Sequence, residues 1–198
     1  MSEQMLFGLC REEGPRVDDL LRAMAGGLRA RGLPVAGYVQ ERLSAPDCSC
    51  PGILLHDLAT GVAHDISEKR GPGASGCNLD WAALTERAAD LERAVAACAP
   101  ALVPALVIVS RFGKAEAEGR GFCGVIETCM ERSVPVLVAY RTGFAEAWAG
   151  YHGGLAMELD GRDAAALLRG VGMAGEDAGT QDQGGEAVRI GDQRSQVR

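Results

Sequence analysis

The sequence predicts an α/β domain in three layers, with a mostly parallel sheet, an edge β-hairpin and helices packed on both faces. Three observations carry this expectation. Five short segments are almost continuously apolar, as strands covered on both faces are. Amphipathic helical repeats lie between most of them, the alternation that builds parallel sheets with right-handed crossovers. One stretch, "ILLHDLATGVAHDI", holds a Thr-Gly turn between apolar runs too close together for a helical crossover, and so reads as a hairpin at a sheet edge.

In chain order, the predicted strands are Met5–Cys10, Val35–Gln40, Ile53–Leu58, Ala105–Ser110 and Val134–Tyr140, each β-branched or Leu-rich and bounded by turn or charged residues. A first helix follows Gly14-Pro15 and places Val17, Leu20, Leu21, Met24 and Leu28 on one face. A second carries Leu84, Ala88, Leu91, Val95 and Cys98, with Asn78 or Asp80 as its cap. A third carries Phe122, Ile126 and Cys129 or Met130. After Leu168 the apolar period stops and "GEDAGTQDQGGEAVRIGDQRSQVR" is rich in Gly and charge, so a domain over 1–171 and a disordered tail over 172–198 are expected.

A chain of 198 residues, 47% of them hydrophobic, suits one domain with a full core. The net charge of −7 argues against a general nucleic-acid binder, because no broad surface could neutralise phosphates. The longest strongly apolar run, Pro100–Val109, is too short to cross a bilayer, and no charged segment precedes an apolar one at Met1. A soluble cytoplasmic protein without membrane insertion is expected. The seven cysteines are an odd number, and Cys10, Cys98 and Cys129 sit in apolar patterns, so reduced thiols fit better than a disulfide framework.

The stretch "FGLCREEGPRVDDLL" runs from a strand through a Gly-bearing loop into a helix, as phosphate-cradling loops do, but lacks the closing Gly-Lys-Ser/Thr. Four predicted parallel strands end on arginine: Arg11, Arg42, Arg111 and Arg141. The following loops add Arg16, Lys114 and Arg120. Ligands of open parallel sheets bind beyond the carboxyl ends of the strands, and helix N-termini near Pro15 and Ala115 add positive potential there. A convergent site for a small anionic ligand is one reading; solvated charges flanking strand ends is the other.

"DCSCPG" sets Cys48 and Cys50 one residue apart, with Cys77 in "SGCNLD" and His56 and His64 around the hairpin. Zinc sites more often use wider Cys pairs, so soft-metal or cluster binding stands beside ordinary reduced loop thiols. "RGPGASGCNLD", flanked by Arg70, is either a structural turn or a second anion-lining loop. His152 in "YHGG" fits a turn or core role better than catalysis.

In order and spacing, "GLRARGLPVAGYVQER", "GILLHDLATG" and "LVIVSRFGKAEAEGRGF" resemble the THEP-type P-loop nucleoside-triphosphatases. The closer resemblance, over Met5 to Leu168, is to a bacterial family of unknown function often labelled molybdenum-transporter ATP-binding proteins, marked by "RG…GCNLD" and "FGKAEAEGRG". The resemblance implies a P-loop-NTPase-like fold, a nucleotide or molybdate as ligand, and a protein partner in molybdenum metabolism. The strand-end reading gives a candidate ligand set of Arg11, Gly14, Arg16, Arg42, Arg111, Gly113, Lys114, Arg120 and Arg141, and the resemblance adds Lys114 and Glu116 of Gly113-Lys114-x-Glu116 as a surviving catalytic-type pair.

The departures concern hydrolysis. Phosphoryl transfer depends on positioning and charge neutralisation by a loop lysine and a metal-binding hydroxyl. Those positions here hold Pro15 or Arg16 and then Val17, and Ser110-Arg111 replaces the acidic residues of the Walker B strand. The expectation is an anion binder without efficient hydrolysis. The alternatives are a metal or cluster protein built on Cys48, Cys50 and Cys77, and an active NTPase with rearranged groups.

Deleting Gly172 to Arg198 should leave the melting temperature nearly unchanged. A large drop in a thermal melt would mean that this segment docks on the domain.

Overall fold

The structure is a computed structural model and describes residues 5–11, 15–43, 52–68 and 79–159. Its strands are β1 (Leu6–Arg11), β2 (Val35–Arg42), β3 (Ile53–Asp57), β4 (Ala63–Asp65), β5 (Leu106–Phe112), β6 (Val136–Arg141) and β7 (Ala156–Leu159). The helices are α1 (Pro15–Ala30), α2 (Trp81–Ala97), α3 (Lys114–Ala117), α4 (Cys123–Glu131) and α5 (Ala145–His152).

One seven-stranded sheet runs in the order β4-β3-β2-β5-β6-β1-β7. The pairs β2/β5, β5/β6, β6/β1 and β1/β7 are parallel, while β3 runs antiparallel to β2 and β4 to β3. The expected hairpin is therefore β3-β4, at the edge. Its turn is held by Asp57, whose carboxylate accepts from the N–H groups of Ala59 and Thr60 and from the Thr60 hydroxyl.

Alternate residues of the central strands feed two cores. On one face Leu21, Met24, Ala25 and Leu28 of α1 pack on Phe7, Leu9, Val39, Ile108 and Leu137. On the other, Leu84, Leu91 and Val95 of α2 and Val125, Ile126 and Cys129 of α4 pack on Val107, Val109, Val136 and Val138. The three layers follow from these two faces. Asp80 is the cap of α2, its carboxylate accepting from the N–H groups of Ala82 and Ala83. No helix among the described residues is long and apolar enough to cross a membrane.

Two elements were not expected from the sequence. Helix α5 puts Trp148 into the α2–α4 core against Phe112 and Tyr140. Strand β7 follows it and is fixed by Glu158, which accepts hydrogen bonds from Trp148 Nε1 at 2.7 Å and the Tyr140 hydroxyl at 2.6 Å. His152 closes α5: its Nδ1 accepts from the N–H groups of Gly154 and Ala156.

Strand β5 carries an irregularity at its carboxyl end. Between the pairs Val109↔Val138 and Phe112↔Tyr140 it advances three residues where β6 advances two. The extra residue falls at Ser110-Arg111, and such a bulge re-aims the side chains beside it. Ser110 Oγ accepts from the Gln40 N–H at 2.9 Å and holds this stretch to β2.

Gly37 sits in the middle of β2 with φ 111°, and a Cβ there would stand 2.1 Å from the Ile108 carbonyl oxygen. Gly26 in α1 has open space around it. Gly37→Ala should destabilise by on the order of 3 kcal/mol or more, whereas Gly26→Ala should stabilise by about 0.5–1 kcal/mol through helix propensity. Urea denaturation of the two variants checks the opposite signs.

Candidate functional site

A cavity of about 340 Å³ opens at the carboxyl ends of β2, β5 and β6, on the α2–α4 face of the sheet. Arg42, Arg111, Gly113, Lys114, Glu116 and Arg141 line it. The structure thus brings four of the sequence-selected cations to one space. Ile53, Leu55, Leu79, Leu84 and Phe122 form apolar walls, joined by Trp81, Phe144, Gln40, Ser110 and Ala115. Arg11 is the last residue of β1 and stands in register with Arg141 of β6.

The selected residues differ in what already holds them. Arg111 donates from a terminal guanidinium nitrogen to Asp18 Oδ2 of α1 at 3.1 Å, in an ion pair with side chains 23% and 8% exposed. This pair ties the end of β5 to the helix on the opposite face. Among the described residues, Asp18 Oδ1 and Arg111 Nε have no hydrogen-bond partner although both are buried. Burial pushes the Asp18 carboxyl above its ordinary value, against the opposing pull of Arg111 and Arg22.

Glu116 is buried, and its carboxylate accepts from the Gly113 N–H at 2.9 Å and the Phe122 N–H at 3.0 Å. It closes the loop from β5 through α3 to the start of α4. A Cβ at Gly121 would stand 2.1 Å from its Oε1, and Gly121 has φ 61°, so glycine is needed there on both counts. Burial raises the Glu116 pKa, with the Phe122 and Gly113 amides pulling the other way. In this arrangement its oxygens serve the backbone.

Lys114 is exposed and stands 3.9 Å from Glu118. Arg120 pairs with Glu118, and its guanidinium lies 5.5 Å from the centre of the Trp81 ring. Arg141 has its guanidinium 5.6 Å from the centre of the Phe144 ring. Gly14, Arg70, Cys48, Cys50 and Cys77 lie outside the described residues, as do the side chains of Arg11 and Arg16. Among the described residues, no group of three or more His, Cys, Asp or Glu side chains is placed to hold a metal ion. His56 instead bonds Glu41 at 2.6 Å, and His64 meets Tyr38 edge-on.

Sequence reasoning missed Asp18 and the aromatic residues of the cavity. An acid in the first turn of a helix is an ordinary helix-start feature, and nothing near it in sequence announces a partner 93 residues away. Trp81 directly after the α2 cap and Phe144 directly before α5, three residues beyond the end of β6, carry the one usable signal, large aromatic rings at the start of helices.

The fold is shared with solved structures. The chain has the P-loop-NTPase-like α/β fold, and solved structures similar to it include the solution structure of a human cancer-related nucleoside triphosphatase, with a TM-score of 0.55 at 13% identity over 88% of this chain and 98% of that one. The crystal structure of THEP1 from the hyperthermophile Aquifex aeolicus is equally similar, with a TM-score of 0.55 at 14% identity over 84% and 96%. Residues 6–168 match the family described as proteins of unknown function, DUF2478, and the chain belongs to that family. A relative, the molybdenum import ATP-binding protein ModC 2 of Bradyrhizobium diazoefficiens, is 30% identical over 143 residues; these make up 72% of this chain and 15% of that protein.

Asp18 gives a pH dependence with a definite sign. Its pKa is raised in the folded protein, so the folded state holds this proton more tightly and stability falls as pH rises from the ordinary value of 3.8 through the raised one. Asp18→Asn should flatten that part of the profile in urea denaturation at a series of pH values. An unchanged slope would mean that Asp18 titrates as a solvated carboxylate.

Proposed function

We propose that the chain binds a small phosphate-bearing or oxyanion ligand in the cavity at the strand ends and does not hydrolyse nucleoside triphosphates efficiently. The observation that carries this reading is the convergence of Arg42, Arg111, Lys114 and Arg141 on one cavity of about 340 Å³ in a protein of net charge −7. Guanidinium groups suit phosphate and molybdate alike, since both present several oxygens to a planar donor fork. The similarity to proteins named as an ATP-binding protein and a nucleoside triphosphatase supports a nucleotide. The molybdenum in the first of those names supports molybdate, and a protein partner in molybdenum metabolism, more weakly.

Among the described residues, those at the strand ends do not fit a divalent cation bridging two phosphates. Such an ion needs oxygen ligands, with a carboxylate at the end of the Walker B strand. That end holds Ser110, bonded to the Gln40 amide, and Arg111, a second cation. Asp18, the nearby carboxylate, is engaged by Arg111, and Glu116 is engaged by two amides. The hydroxyl position at the start of α1 is Val17.

The test is calorimetric titration of ADP and sodium molybdate into the full chain, with Arg141→Ala in the cavity and Arg93→Ala, an exposed arginine paired with Asp90 on α2, as control. A lost charge-assisted contact of roughly 1.5–3 kcal/mol predicts that Arg141→Ala weakens binding about tenfold or more and Arg93→Ala leaves it unchanged. Equal affinities for all three proteins would remove the cavity from the reading. Phosphate release from ATP at ordinary NTPase rates, lost in a folded Lys114→Ala variant, would overturn the non-hydrolytic part.

A further inference from the structure

Arg111 belongs to both faces of the sheet. It lines the cavity on the α2–α4 face, yet its guanidinium donates to Asp18 Oδ2 of α1, on the opposite face, at 3.1 Å. The backbone allows this, because Ser110-Arg111 is where β5 gains a residue on β6 and the side chains are re-aimed. The pair is also incomplete. A planar guanidinium meets a carboxylate best through two parallel bonds, and one forms here. Arg111 Nε and Asp18 Oδ1, the atoms that a second, side-on bond would join, are buried with no hydrogen-bond partner among the described residues. An unmet donor and an unmet acceptor inside one buried pair weaken it against any anion that satisfies the guanidinium fully.

Little else compensates Asp18. Among the described residues its ion pair is the one with Arg111. Arg22 attracts it from further off, but is itself shared between Asp19 at 3.4 Å and Glu41 of β2 at 3.3 Å, and Glu41 also bonds His56 of β3. Asp19, its neighbour on α1, opposes its charge. With the Asp18 side chain only 8% exposed, whatever takes the Arg111 guanidinium away leaves a buried carboxylate behind.

We propose that Asp18 is the positioning residue of the anion site: it holds the Arg111 guanidinium on the α1 side, and an anion in the cavity binds by taking that guanidinium over. The proposal rests on the anion-binding reading and adds its regulation. Affinity is set below what the cations alone would give, since binding draws on the fraction of molecules in which Arg111 is free. Binding also takes up a proton at mildly acidic pH, because Asp18 is left buried without its counter-ion.

The experiment titrates ADP and sodium molybdate calorimetrically into the full chain as wild type, Asp18→Asn, Arg111→Ala and the double variant, with folding checked by circular dichroism. If Arg111 is paired in about nine-tenths of the molecules, Asp18→Asn binds about tenfold more tightly than wild type at neutral pH. Arg111→Ala binds more weakly than wild type, and Asp18→Asn changes nothing in that background. The ratio of the Asp18→Asn affinity to the wild-type affinity cancels the titration of the ligand itself. It should fall toward one as the pH is lowered and Asp18 of the wild type becomes protonated. Titration of wild type in two buffers of different ionisation enthalpy should show a proton uptake that Arg111→Ala lacks, a measurement that holds even where Asp18→Asn does not fold.

Unchanged or weaker binding by a folded Asp18→Asn variant, a ratio that ignores pH, or wild-type binding without proton uptake would overturn the proposal. The anion site itself would still stand wherever Arg141→Ala weakens binding. Failure of both ligands to bind any of these proteins would overturn both readings.

Discussion

The parallel pairing of β1, β2, β5 and β6 is the constraint on which the rest depends. Parallel neighbours cannot be joined by tight turns, so each connection must cross a face of the sheet and bring the chain back to the same edge. Every one of these strands therefore ends on the same side. A residue type repeated at strand ends, harmless in a meander where ends alternate, is gathered here into one place. Arg11 beside Arg141 in adjacent register is the most direct expression of this, and the cavity lined by Arg42, Arg111 and Arg141 is its consequence.

Gathering cations at the end of a sheet has an electrostatic cost, and the chain offsets it unevenly. Arg111 is part-buried and paired with Asp18, a carboxylate brought from the opposite layer. Removing one partner of a buried ion pair leaves the other charge uncompensated, which is more damaging than removing both. Arg120 and Lys114 meet Glu118 at the surface, where such pairing contributes little. Arg141 and Arg120 use aromatic rings as well. The cavity therefore holds one arginine tied across the sheet to Asp18 and another, Arg141, whose guanidinium lies by the Phe144 ring.

Much of the fold was legible because burial on both faces leaves a strong mark in sequence. Strand β6 up to its last residue, β5 over its first four residues and β2 over its first five are apolar without a break, and α1, α2 and α4 show clear stripes. β7 left no such mark: it is four residues long at an edge, and Met157 and Glu158 are exposed. Its place is set by Glu158 meeting Trp148 and Tyr140, a tertiary fact. Helix α5 was legible in principle from Phe144, Trp148 and Tyr151, which recur at helical spacing. At the site, strand ends were readable from the apolar runs that stop there, but the pairing of Asp18 with Arg111 and the place of Trp81 on the cavity come only from tertiary packing.

Glu116 shows why motif and chemistry separate in this chain. The Gly-Lys-x-Glu element persists in sequence, and a carboxylate near a strand end invites a catalytic reading. Here both carboxylate oxygens are bonded to backbone amides, and Gly121 is kept free of a side chain so that the carboxylate can pass. A carboxylate so engaged holds the turn from β5 through α3 into α4, and that turn places Lys114 and Phe122 on the cavity. A binding function needs this scaffold as much as a hydrolytic one does. In this structure the element holds the turn, with Glu116 bonded to two backbone amides, while Arg111 stands at the strand end in an ion pair with Asp18.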